Sequence, residues 1–111
     1  MKDNRSVSMV IPAYNEEQSL EELYDRLKAV LDRIASRYEM IFIDDGSTDR
    51  SLEILHSLRE RDRAVQIIAF QRNYGKSAAL SEGFKAADCN YVVTIDADLQ
   101  DPPEVILDLI A

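Results

Sequence analysis

Short apolar runs and amphipathic stretches alternate along the whole chain. Residues 7–11 are apolar and are followed by Pro12, which predicts a buried strand stopped by the proline. Over residues 19–37, Leu20, Leu23, Leu27, Val30, Leu31 and Ile34 recur at helical spacing and predict an amphipathic helix. Ser19 with Glu22 has the form of a capping box. Glu21 and Glu22 suit the start of the helix dipole, and Arg33 and Arg37 suit its end. A second strand is predicted at 40–43, a second helix at 49–61, and a third strand at 65–70. A third helix over 76–87 carries the small residues Ala78, Ala79, Gly83 and Ala87, which allow close approach to a sheet. Residues 91–95 form a fourth strand. Asp101, Pro102 and Glu104 then read as the N-cap, first position and capping-box acid of a fourth helix.

Strands alternating with helices imply an α/β architecture with a parallel sheet and right-handed crossovers. Ligands on such sheets bind beyond the carboxyl ends of the strands. The unusual residues of this chain cluster at those ends, in segments 12–16, 44–49, 72–76 and 96–100. The last amphipathic helix reaches Ala111 without a polar stop or cap, which predicts that the chain is the first part of a longer one.

Length and charge narrow the picture. With 111 residues the chain suits a single domain, read as a leader over 1–6 and a folded unit over 7–111. The net charge of −8 argues against nucleic acid and against a basic membrane anchor. An acidic protein can still take an anionic ligand through a divalent cation. Cys89 is the lone cysteine, so no internal disulfide can form, and a reducing, cytoplasmic setting is expected. No apolar run approaches the roughly 18 residues of a membrane span, and no signal peptide is visible.

Four constellations carry candidate chemistry. In Asp96-Ala97-Asp98-Leu99-Gln100, extended chain would point positions 96, 98 and 100 the same way. Two carboxylates and an amide oxygen are hard ligands suited to Mg²⁺ or Mn²⁺. The plainer alternative is an acidic turn capping the next helix. In Asp44-Asp45-Gly46-Ser47-Thr48-Asp49, a carboxylate at a strand end can accept from a base N–H or a ribose hydroxyl. Gly46 permits a tight turn, and Ser47, Thr48 or Asp49 can cap the following helix. In Pro12-Ala13-Tyr14-Asn15-Glu16-Glu17, Tyr14 can stack on a planar ring and Glu16 can accept hydrogen bonds. An ordinary turn capped by Asn15 or Ser19 is the alternative. Arg72-Asn73-Tyr74-Gly75-Lys76-Ser77 brings two cations to the same edge. Lys76 opposes the dipole at its helix start, which an anion or a metal-bound phosphate would offset. A surface loop with extended cationic side chains is the alternative. His56 reads as a surface residue, and Cys89 has no base beside it.

In this order, Val10-Ile11-Pro12-Ala13-Tyr14-Asn15-Glu16, Asp44-Asp45-Gly46-Ser47-Thr48-Asp49, Arg72-Asn73-Tyr74-Gly75-Lys76 and the run from Asp96 to Glu104 resemble the family 2 glycosyltransferases. The last run is most similar to the branch that transfers hexoses to polyprenyl phosphates. That branch includes dolichol-phosphate mannose synthase and bactoprenol glucosyltransferase. The resemblance implies the Rossmann-like, nucleotide-binding half of a GT-A fold. It further implies inverting transfer from a UDP- or GDP-sugar with Mg²⁺ or Mn²⁺, to a lipid phosphate. By position, Pro12, Ala13, Tyr14, Glu16 and Asp45 would line the base and ribose pocket. Lys76 and Ala97 would lie against the nucleotide, Asp96 would approach ribose or metal, and Asp98 and Gln100 would ligate the metal. Family members place a catalytic carboxylate and the acceptor site further along, and many add membrane helices. No catalytic residue is therefore expected within these 111 residues, and the full-length protein is expected at the cytoplasmic face of a membrane. Three rival readings compete. One is a non-catalytic nucleotide-binding module. A flavodoxin-like phosphoacceptor domain would need acids after the first strand, where Pro12-Ala13-Tyr14 stands. A dinucleotide oxidoreductase would need a glycine-rich turn there, and the glycines are Gly46, Gly75 and Gly83.

Overall fold

In the computed structural model, which describes residues 5–110, the chain alternates strand and helix in the order β1 (Ser6–Ala13), α1 (Leu20–Ile34), β2 (Arg37–Asp44), α2 (Ser51–Arg61), β3 (Val65–Ala69), α3 (Lys76–Ala86) and β4 (Tyr91–Thr94). A 3-10 turn over Pro103–Val105 leads into α4 (Ile106–Ile110). The sheet has the order β3-β2-β1-β4, and every neighbouring pair is parallel. This is the expected α/β class.

Alternation along β1 divides the core. Val7, Met9, Ile11 and Ala13 face one side, where they pack with Met40 and Phe42 of β2, the apolar stripe of α1, and Leu55 and Leu58 of α2. Val10 faces the other side with Ile41, Ile43 and Ala79 under α3. The smaller second layer depends on close approach. A Cβ on Gly83 would lie 2.3 Å from Val10 Cγ1 and 2.9 Å from Ile43 Cδ1.

The observed elements depart from the expected ones in five places. Pro12 does not stop β1, which continues to Ala13. Val10 and Pro12 direct their peptide groups toward β4, and that ladder has ended at Thr94 and Ile95. The proline's missing N–H therefore removes no sheet bond. Helix α1 ends at Ile34, and Arg37 belongs to β2. The chain is drawn into the sheet where Ser36 donates both N–H and Oγ to the Arg5 carbonyl, each at 2.8 Å. Within β2, Glu39 is buried because Ser8 Oγ, Gln66 Nε2 and the Asp88 N–H all donate to its carboxylate. The Ser19–Glu22 capping box does not form, since Ser19 makes no side-chain cap bond and turns elsewhere. The last helix opens as a 3-10 turn with Pro102 in the cap position and no side-chain cap from Asp101. Glu104 is held by Arg26 of α1, through Nε at 3.0 Å and Nη2 at 2.5 Å. Of the expected leader, Ser6 opens β1, and residues 1–4 lie outside the described residues. No helix among the described residues is long and apolar enough to cross a membrane.

Gly83→Ala should force α3 off the sheet and destabilise the fold by about 1–3 kcal/mol. Urea denaturation followed by circular dichroism measures the loss.

Candidate functional site

The central position of β1 brings three strand ends together: Ala13 beside Asp44 of β2 on one flank, and Val10 beside Thr94 of β4 on the other. The loops leaving these ends, with the β3–α3 loop, enclose an open cleft of about 350 Å³. Pro12, Ala13, Tyr14 and Glu16 line it from β1, Asp45 from β2, Lys76 from α3, and Asp96, Ala97 and Asp98 from β4. All nine residues assigned from the sequence to nucleotide contact therefore meet at one place. Asn73 and Gly75 also line it. Both belong to the recognised Arg72–Lys76 segment, but without a charge they gave no separate signal.

Asp45 organises the loop opposite. It is 4% exposed, and its carboxylate accepts the N–H of Tyr74 at 2.8 Å, the N–H of Gly75 at 3.0 Å and Asn73 Nδ2 at 3.2 Å. Gly46, at φ +72°, lets the chain turn away against that loop. A Cβ there would meet the Arg72 carbonyl carbon at 2.2 Å. A carboxylate has about four acceptor positions, so three donors leave one for a ligand. Asp44 points to the opposite face of the sheet, with Phe42 and Met40, and its buried Oδ1 has no hydrogen-bond partner among the described residues.

The first and second loops are stitched directly. Asn15, at φ 54°, accepts the N–H of Thr48 on Oδ1 at 2.8 Å and donates its own N–H to Ser47 Oγ at 2.9 Å. The Glu16 N–H donates to Ser51 Oγ at 2.9 Å, and the Glu17 N–H to Asp49 Oδ2 at 3.2 Å. Asp49 Oδ1 accepts the Ser51 N–H at 2.9 Å, but the N-cap position of α2 falls to Arg50, which makes no side-chain cap bond, so none of Ser47, Thr48 and Asp49 is the cap expected from the sequence. Asn15 thus binds the loop between β2 and α2 and does not cap α1.

On the fourth loop, Asp96 Oδ1 lies 2.7 Å from Lys76 Nζ. This pair raises the Lys76 pKa and supplies the anion that its place at a helix start calls for. Arg72 stacks over Tyr74, 4.7 Å from the ring centroid. Asp98 is exposed, and its Oδ1 accepts the Gln100 N–H at 3.1 Å. β4 ends at Thr94, the chain turns at Ala97 and Asp98, and Leu99 sits at φ 63°, so no extended run spans 96–100. The alternation expected to carry Gln100 to the same side fails at that turn, and Gln100 does not line the cleft.

The sequence profile of glycosyl transferase family 2 matches residues 8–111. The chain belongs to that family. It is 50% identical over 103 residues to an uncharacterised glycosyltransferase of Bacillus subtilis, covering 93% of this chain and 32% of the relative. It is 48% identical over 101 residues to the undecaprenyl-phosphate 4-deoxy-4-formamido-L-arabinose transferase of Pseudomonas paraeruginosa, covering 90% of this chain and 30% of the relative. Among solved structures, the glucosyl-3-phosphoglycerate synthase of Mycobacterium tuberculosis, in complex with Mn²⁺, UDP and phosphoglyceric acid, superposes with a TM-score of 0.68. It shares 28% identity, over 94% of this chain and 37% of that one. The fold is that of the GT-A glycosyltransferases. The chain spans about a third of the length of the curated relatives it matches.

For this family 2 chain, the donor set can be tested against a divalent cation. Among the described residues no three acids, histidines or cysteines assemble into a protein-only cage. What the cleft offers is an exposed Asp98 carboxylate beside Asp96, which Lys76 already holds. That set fits an ion that takes one or two carboxylates and completes its shell with substrate phosphate and water. Glu16 lies within the same field. Desolvation foremost, then Asp98, Asp49 and Asp96, push its pKa above 4.5, opposed by the Ser19 hydroxyl dipole 3.3 Å away.

Two outcomes follow. Asp45→Ala strands the amides of Tyr74 and Gly75 and should cost about 2 kcal/mol in denaturant titration. Because the folded state holds the Glu16 proton more tightly than the unfolded chain, this group's favourable share is present at low pH and lost as pH rises through the raised value. Glu16→Gln should therefore melt at a higher temperature than the parent at neutral pH. In thermal scans the gap should narrow as pH falls through the raised value and close only below the unfolded glutamate's pKa, at about pH 3.

Proposed function

We propose that this chain is the donor-binding part of an inverting hexosyltransferase that takes its sugar from a UDP- or GDP-sugar and passes it to a polyprenyl phosphate. The carrying observation is the meeting of Tyr14, Glu16, Asp45, Lys76 and Asp98 at one cleft. Tyr14 is 45% exposed there, which suits stacking on a base. Asp45 has an acceptor position left for a base N–H, and the neighbouring Glu16 can accept from a ribose hydroxyl.

The diphosphate would lie between Lys76 and the Asp96–Asp98 turn. Asp98 and Asp96 would hold Mg²⁺ or Mn²⁺. When bound, such an ion neutralises charge on a diphosphate leaving group. Lys76 serves the same end from the other side, and its pairing with Asp96 keeps it aimed at the cleft. Ala97 is 3% exposed and leaves room for the sugar nucleotide. An acceptor phosphate is already anionic near neutral pH, so the reaction needs charge management more than a strong base. The catalytic carboxylate and the acceptor site belong, on this reading, to the protein outside these residues, as does any attachment to the cytoplasmic face of a membrane. The isolated chain would bind donor without transferring sugar. The Pseudomonas relative, named for an undecaprenyl-phosphate acceptor, and the Mycobacterium complex with Mn²⁺ and UDP support the choice of acceptor class and cofactor.

UDP or GDP with Mn²⁺ should raise the melting temperature, with a stabilisation of about 2.7 kcal/mol at a ligand concentration about 100 times Kd. Asp98→Ala should abolish the metal-dependent part in differential scanning fluorimetry. An unchanged metal-dependent gain in that variant would remove Asp98 from the site.

A further inference from the structure

Ser19 stands at the N-terminal boundary of α1, where a serine ordinarily caps its own helix. It makes no such bond. Its hydroxyl donates instead to the Ala97 carbonyl at 2.6 Å, across 78 residues of sequence. Two Glu16 oxygens lie at 3.3 Å. A hydroxyl has one proton, and the shorter distance commits it to Ala97.

The place of that bond is what gives it meaning. The sheet holds β4 only as far as the Ile95 N–H, which donates to the Val10 carbonyl at 3.2 Å. Beyond Ile95 the chain must still present Asp96 and Asp98 to the cleft while passing through Leu99 at φ 63°. Among the described residues, the Ser19 bond is the one hydrogen bond from another element to the backbone of residues 96–101. Ala97 and Leu99 pack inward on either side of Asp98. The serine thus fixes the peptide immediately before Asp98 to the start of α1, and α1 is anchored in the main core.

We propose that Ser19 is a positioning residue for the acid-bearing turn, tethering the peptide before Asp98 so that its carboxylate meets the cation and diphosphate with little reordering. This rests on the donor-site reading above. A preorganised ligand loses less freedom on binding than a loose one, so the tether should act on cation-assisted nucleotide uptake and leave cation-free uptake alone.

The test compares Ser19→Ala and Ser19→Thr with the parent in the full-length protein. UDP and GDP are titrated calorimetrically with and without Mn²⁺, and amide exchange is followed at residues 97–101. S19A should exchange those amides faster and lose about 10-fold in nucleotide affinity with Mn²⁺ present. Its affinity without Mn²⁺ should match the parent. S19T keeps the hydroxyl and should restore both readouts. Parent-like exchange in S19A overturns the tether. So does an equal affinity loss with and without Mn²⁺, which would mark Ser19 as a general structural residue. If the parent shows no Mn²⁺-assisted uptake, the donor-site reading falls, and exchange alone then decides whether the tether stands.

Discussion

Strand β1 is paired in parallel on both flanks, with β2 along its whole length and with β4 over four residues. Every feature of the cleft depends on that double pairing. Parallel strands deliver their carboxyl ends to the same rim, so the loops after β1, β2 and β4 all leave from one edge of the sheet. The burial of Val7, Met9, Val10 and Ile11, each at 0% exposure, fixes the register on both faces of the sheet. A shift by one residue would exchange these side chains between the two packed layers, where neither set fits. Register and cleft are therefore secured by the same apolar contacts.

Upon this frame the acids divide into distinct roles. Asp45 is turned inward and binds the β3–α3 loop through three donors. Asp49 accepts backbone amides from two loops. Asp96 is neutralised by Lys76. Asp98 is left exposed on a turn that the neighbouring Ala97 and Leu99 hold down. A chain of net charge −8 thus gathers acids at one rim, yet most of them are already engaged. Such a surface attracts a dication first, and a diphosphate only with it. The raised pKa of Glu16 comes first from its desolvation and then from Asp98, Asp49 and Asp96, whose repulsion a bound dication would relieve.

Local pattern carried the architecture. The apolar stripe of α1, the small residues of α3 and the position of four polar segments at strand ends were enough for the parallel sheet and for the cleft residues. What escaped was nonlocal. Ser19 looked like a cap because its neighbours fit a capping box, but its partner is 78 residues away. Glu104 looked like the matching acid of the last helix, but Arg26 claims it. Pro12 read as a stop because nothing in the sequence tells which side of β1 loses its neighbour first. Gln100 read as a third ligand because extended chain was assumed to continue, and a leucine at positive φ gives no sequence signal. Arg37 entered β2 because of a bond from Ser36 to Arg5 that periodicity cannot register.

The central proposal is spatial: Asp98 would hold a cation beside a nucleoside diphosphate in the cleft between Asp45 and Lys76. Anomalous diffraction at the manganese edge, from crystals of the full-length protein grown with Mn²⁺ and UDP or GDP, reads it directly. The account predicts one strong peak within ligand distance of an Asp98 carboxylate oxygen and of the diphosphate, with the base on the Asp45 side. Nucleotide density elsewhere, or a metal peak coordinated without Asp98, would contradict it.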